Sequence, residues 1–249
     1  MVKKNITRRI TLVAIIIMLI IASYYSMEKY HDNYQKTEVA SNINNEQIDA
    51  LEQVTATKNK IEELQANYHN EDIKAILSIE NINQFSYPVA QTTNNEYYLN
   101  HNYYGEDDSL GAIYTDYRVE LDSSSKILIY GHSSTKRDVP FNQLENYYDE
   151  DYYQNHKYIN LATKTNIYRY EIFSVYVETN DFTYMNMNFD DDEEWYRHLL
   201  KLKSKSFHQN DIELSRDDEI LIMQTCSNHP DYQKYSKKYL LIVSRRVKE

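Results

Sequence analysis

The chain has 249 residues and a net charge of −11, and its 26 tyrosines stand against three glycines, three prolines and one cysteine. That length is enough for one mid-sized domain with a real core plus attachments, and a body this acidic lacks the basic face that nucleic-acid binding needs. A single cysteine excludes an internal disulfide and leaves a buried filler, an intermolecular crosslink or a reactive thiol.

The charge is uneven along the chain. Lys3, Lys4, Arg8 and Arg9 make residues 1–9 a basic stub of +4, so the remainder carries −15. From Thr11 to Met27 run 17 uncharged residues, at the short end of the roughly 17–25 that a membrane helix needs. Tyr24, Tyr25 and Met27 stand where a cleaved signal peptide would carry small residues. Residues 10–27 therefore read as an uncleaved transmembrane anchor with tyrosines at its interface. Basic residues before the span and acidic ones after it place the N-terminus in the cytoplasm. The expectation is a single-pass membrane protein whose body lies outside the cell, where an unpaired thiol calls for a reason.

Residues 28–43 are polar and aperiodic, as in a tether. From Asn44 to about Leu77 the pattern turns helical, with Ile48, Leu51, Val54, Ile61, Leu64 and Tyr68 at three- and four-residue steps. N-terminal helices are expected over residues 44–80, divided or ended at Asn70. After Asn81 the texture becomes aromatic and β-branched, and strands are expected at Phe85–Val89, Tyr97–Leu99, Ala112–Tyr117, Ile127–Tyr130, Tyr158–Leu161, Asn166–Val177, Ile220–Gln224 and Tyr239–Arg245. Between Asp190 and Phe207 an apolar stripe of Trp195, Leu199, Leu200 and Leu202 follows the acidic run DDDEE, which reads as a helix whose first turn suits the helix dipole. Many strands with one interposed helix give residues 81–249 as a mostly antiparallel barrel or sandwich.

Chemistry centres on the thiol. Cys226 ends the strand ILIMQTC and is followed by the polar SNHP. A cysteine nucleophile needs a base or cation close by. His132, after Gly131 at the end of the strand ILIY, is the candidate, because that glycine permits a tight turn exposing the next side chain. His229, three residues after Cys226, is a second possible base. The acidic run Asp190–Glu194 lacks the ligand spacing and turn glycine of a calcium loop. No HExxH, paired CxxC or glycine-rich phosphate loop occurs.

Several stretches together resemble the class B sortases, membrane-anchored cysteine transpeptidases of Gram-positive bacteria. They are YPVAQTTNNEYYLNHNYYGEDDSLGAIYTDYR (87–118), ILIYGHSS (127–134), FNQLENYYDEDYYQNHKYINL (141–161) and IMQTC (222–226), within a resemblance covering roughly Ile82 to Val247. The resemblance implies an eight-stranded sortase β-barrel with an N-terminal helical extension and one helix before the cysteine strand. It implies that Cys226 cleaves a C-terminal sorting signal after threonine, forming a thioester that an amine resolves, with His132 moving the protons. Thr225 and Gln224 would touch the substrate. The implied partners are secreted surface proteins bearing such a signal, of the NPxT kind, and a peptidoglycan precursor or pilin-like amine. No metal or cofactor is implied.

The family's third residue, an arginine near the start of the last strand, has no counterpart. Aligning LLIVSRRV (240–247) with the end of that strand puts Tyr239 at the arginine position, preceded by Lys238. Arg245 and Arg246 lie six and seven residues on, roughly 20 Å along a strand. Tyr239, or alternatively Lys238, is the expected substitute. A sortase-fold protein that binds sorting signals without efficient chemistry, and a hydrolytic cysteine peptidase, are the competing readings.

Overall fold

The structure, a computed structural model, describes Met18, residues 23–31 and residues 47–248. It divides into two compact units, Met1–Gln53 and Val54–Glu249. In the first, residues 23–31 and 47–53 are helical. The expected basic stub and much of the expected anchor and tether lie outside the described residues. Among those that are described, no helix is long and apolar enough to cross a membrane. That finding overturns the expectation of a single-pass membrane protein with an extracellular body.

Helix α1 covers residues 47–68. Within the second unit its inward stripe is Ile61, Leu64, Gln65 and Tyr68, at the spacing of one helical face. It ends where His69 turns left-handed (φ 52°) and Asn70 N–H reaches back to the Gln65 carbonyl at 2.9 Å. The helical expectation ran on to Leu77, but Ile73–Ile79 is the first strand, β1. Ile73, Ile76 and Leu77 fit a helical step as well as a strand's alternation, and so short an apolar run does not discriminate. The strand wins because Ile73, Ala75, Leu77 and Ile79 are buried while the residues between them are more open.

Seven further strands follow: β2 (Ser86–Ala90), β3 (Tyr114–Thr115), β4 (Lys126–Tyr130), β5 (Tyr158–Thr163), β6 (Ile167–Glu178), β7 (Ile220–Cys226) and β8 (Tyr239–Arg246). They close a barrel in the order β1-β2-β3-β4-β7-β8-β6-β5. Only β2–β3 and β4–β7 pair in parallel. The barrel therefore takes in residues 73–79, part of the expected helical extension. The strand expected at Tyr97–Leu99 is instead a turn, in which Asn94 Oδ1 accepts the N–H groups of Glu96 and Tyr97.

Side-chain alternation sorts the core into two layers. Ile127, Ile129, Leu221, Met223, Leu240 and Ile242 fill the barrel interior. Leu128, Tyr130, Ile220, Ile222, Leu241 and Val243 form the outer layer, covered by Trp195, Leu199 and Leu202. Those three lie on helix α2, Asp192–Ser204, the expected helix before the cysteine strand. The Asp191 side chain caps it by accepting Glu194 N–H at 2.7 Å, and Glu194 accepts Asp190 N–H in return. Burial on both faces explains why β4 and β7 read as unbroken apolar runs.

Candidate active site

Strands β4 and β7 run side by side and end at one rim. Their ladder closes on Tyr130↔Gln224 and continues with Gly131 N–H donating to the Gln224 carbonyl at 3.1 Å. One step further, Ser133 Oγ donates to the Cys226 carbonyl at 2.5 Å. His132 lies between these two ties in sequence, at the rim where β7 ends in Cys226. Residues 94 positions apart in sequence thus share one strand-end corner of a closed sheet.

Gly131 is needed for space rather than for a left-handed turn. A Cβ there would sit 2.6 Å from the ring of Phe141, which is fully buried beneath the rim. His132 is half-exposed, and its Nε2 lies 3.0 Å from the Leu99 carbonyl. A carbonyl only accepts, so this bond fixes the tautomer with hydrogen on Nε2 and leaves Nδ1 as the basic atom. The turn at Tyr97–Leu99 therefore supplies the group that orients the imidazole. Nearby, Arg137 grips Asp108 through two bonds of 2.8 and 3.1 Å. That guanidinium, with smaller help from the Leu110 N–H and from His132, holds the Asp108 carboxyl below its ordinary value.

Cys226 is exposed at the end of β7. The protein packed behind it pushes its thiol up, Lys238 pulls it down and Glu145 pushes it up again. The segment after it is tied down on two sides. Asn228 donates from Nδ2 to Ser133 Oγ at 2.9 Å and from its backbone to Glu145 Oε1 at 2.8 Å. Tyr148 OH meets Ser227 Oγ at 2.7 Å. Glu145 and Tyr148 lie on the 3-10 segment Pro140–Tyr148 that follows the histidine loop. His229, the second candidate base, accepts Asp231 N–H on Nδ1 at 3.3 Å and packs on the Tyr148 ring at 4.6 Å. Its basic nitrogen is thus occupied in capping the short turn Pro230–Tyr232.

Across the sheet, Cys226 pairs with Tyr239. The next pair carries a backbone bond, Ser227 N–H to the Lys238 carbonyl at 2.9 Å. Cys226 and Tyr239 are therefore a non-hydrogen-bonded pair, whose side chains approach most closely. The Tyr239 hydroxyl is pushed up by burial and by the nearby cysteine. Its ring meets Phe182 edge-on at 6.0 Å. Lys238 Nζ donates to the Tyr235 carbonyl at 3.3 Å. Arg245 and Arg246 are engaged at the far end of β8, with Glu171 and Glu219.

Gln224 shares the outer face with Cys226, and its Oε1 accepts from Tyr184 OH at 2.6 Å. Thr225, expected to touch substrate, points the other way. It is 1% exposed, on the interior parity of Leu221 and Met223, and its hydroxyl has no hydrogen-bond partner among the described residues. Alternation along β7 makes it a wall residue of the barrel and removes its side chain from the groove.

The sortase-domain family profile matches residues 77–246. Sortase B of Listeria monocytogenes is 28% identical over 246 residues, covering 94% of each chain. Sortase B of Staphylococcus aureus is 25% identical over 242 residues, covering 95% of each. The structure of the Staphylococcus aureus sortase B–substrate complex superposes with a TM-score of 0.67 at 27% identity, over 77% of this chain and 86% of that one.

Proposed function

Because the chain belongs to the sortase family, on its class B branch, and is a cysteine transpeptidase, we propose that Cys226 attacks the carbonyl carbon after the threonine of a C-terminal sorting signal. The thiol proton passes to His132 Nδ1, the scissile C–N bond breaks, the leaving amine takes that proton from His132, and the acyl group remains on sulfur as a thioester. An amine of a peptidoglycan precursor, or of another protein subunit, then attacks that thioester and yields a proton to His132 Nδ1. The C–S bond breaks and the thiol is restored. The substrates of this reading are surface proteins with a signal of the NPxT kind.

The observation that supports the reading is the parallel β4–β7 ladder, which brings the chain at residues 132 and 226 to one rim of the barrel. For the role that relatives give to arginine, Tyr239 is the better substitute, because it directly faces Cys226. Its hydroxyl can donate to the oxyanion of the tetrahedral intermediate. Lys238 contributes its charge to the thiol from the neighbouring position. Gln224, with Oε1 engaged by Tyr184, keeps Nε2 for the peptide backbone.

Mass spectrometry of the full chain incubated with an NPxT-type peptide and triglycine tests the reading, with Cys226→Ala as control. A thioester on Cys226 together with an amide product is the expected result. Free acid alone means a peptidase, and unmodified protein with bound peptide means a binder.

A further inference from the structure

A carboxylate beside a catalytic thiol works against the first half of the reaction. Negative charge there disfavours the thiolate and the oxyanion alike. Glu145 is such a carboxylate: its Oε1 is fixed 2.8 Å from the Asn228 N–H, two residues past Cys226, and its charge reaches the thiol. Its Oε2 accepts no hydrogen bond among the described residues. The residue is half-buried, and the Asn228 side chain and Tyr148 clamp the same segment. So the position is built, and half of its acceptor capacity is unspent.

Resting on the transpeptidase reading above, we infer that Glu145 is the binding residue for the incoming amine, receiving its ammonium form at Oε2 on the side of Cys226 formed by residues 140–148. Only the second half-reaction brings a cationic group to the thioester, and only there does a carboxylate help. Burial pushes the Glu145 carboxyl up, against the pull of the Asn228 N–H and His229; an arriving ammonium supplies the missing countercharge. In the step itself the ammonium nitrogen sheds two protons. One goes to His132 and one to the departing sulfur as the C–N bond forms and the C–S bond breaks. Glu145 stays ionised throughout and sets the position of the nitrogen.

Glu145→Gln keeps an oxygen for the Asn228 N–H and removes the charge. In the full chain, acylated by an NPxT-type peptide, the variant should form thioester at least as fast as the parent. The triglycine and Nα-acetyl-lysine concentrations for half-maximal transfer should rise about tenfold, the scale of one charge contact. Hydroxylamine, uncharged near neutral pH, should discharge the thioester with a change of less than about twofold by the same charge argument. Equal effects on charged and uncharged nucleophiles, or no effect on either, overturn the inference, as does a parent thioester that neither ammonium probe discharges faster than water. A parent that forms no thioester refutes the transpeptidase reading, and the inference with it.

Discussion

Cys226 and Tyr239 face each other across β7 and β8 as a non-hydrogen-bonded pair. The register fixes where the Tyr239 side chain leaves the backbone, opposite Cys226. Replacing its hydroxyl isolates its chemistry from its packing. Tyr239→Phe should lower the rate of thioester formation by about 10²-fold, the usual cost of one oxyanion donor. Peptide KM should change little. Lys238→Met should cost less, and stopped-flow acylation of the two variants separates the roles.

The charges around Cys226 predict opposite shifts in its titration. Lys238 lowers the thiol and Glu145 raises it. The rate of iodoacetamide alkylation rises with pH as thiolate forms. Lys238→Met should move that profile to higher pH and Glu145→Gln to lower pH. A shift of both variants in the same direction would refute this electrostatic picture.

Packing under the histidine loop is equally specific. Gly131→Ala places a methyl 2.6 Å from the Phe141 ring. Overpacking of this kind costs about 1–3 kcal/mol and would also displace His132. Adding Phe141→Leu should recover much of both stability and acylation rate, measured by denaturant unfolding and mass spectrometry.

Thr225 gives a prediction of the opposite sign. Its buried hydroxyl is unpartnered, and removing such a group is neutral or stabilising. Thr225→Val should leave thermal stability unchanged or higher and should still form thioester. A loss of acylation with intact stability would restore it to the substrate groove.

Asp116 anchors the end of β3 to Tyr130, immediately before the histidine loop. Burial alone would push its carboxyl up, but hydrogen bonds from Arg118, Tyr130 and Asn95 outweigh this and hold it at about 2, below its ordinary 3.8. A depressed folded value means stabilisation that is present above the unfolded value and lost as pH falls toward 2. After allowance for solvent screening this is worth about 1–2 kcal/mol. Asp116→Asn should be less stable at pH 7, and the gap to the parent should close between pH 4 and 2 in acid-unfolding curves.

The places of His132 and Cys226 were legible because each follows or ends an apolar strand and opens a polar loop, a contrast visible in ILIYGHSS and LIMQTCSN. Tyr239 was legible from the hydrophobic run after it. The first strand was not, since Ile73, Ile76 and Leu77 satisfy two periodicities at once. Nor were the Leu99 carbonyl, Ser133, Glu145 and Asn228. Their work depends on contacts between loops distant in sequence, and nothing in local spacing marks one asparagine or glutamate among many. Thr225 shows the converse: adjacency to the nucleophile in sequence means the opposite side of a strand.

The corner where β4 and β7 end has a temporal meaning as well. Between those strands the chain supplies β5 and β6 and the helices around them, and contacts so remote in sequence are slow to form. Before they form, the imidazole and the sulfur are strangers on a disordered polymer, and neither can act on a bystander peptide. Reactivity thus belongs to the assembled barrel and to neither loop alone.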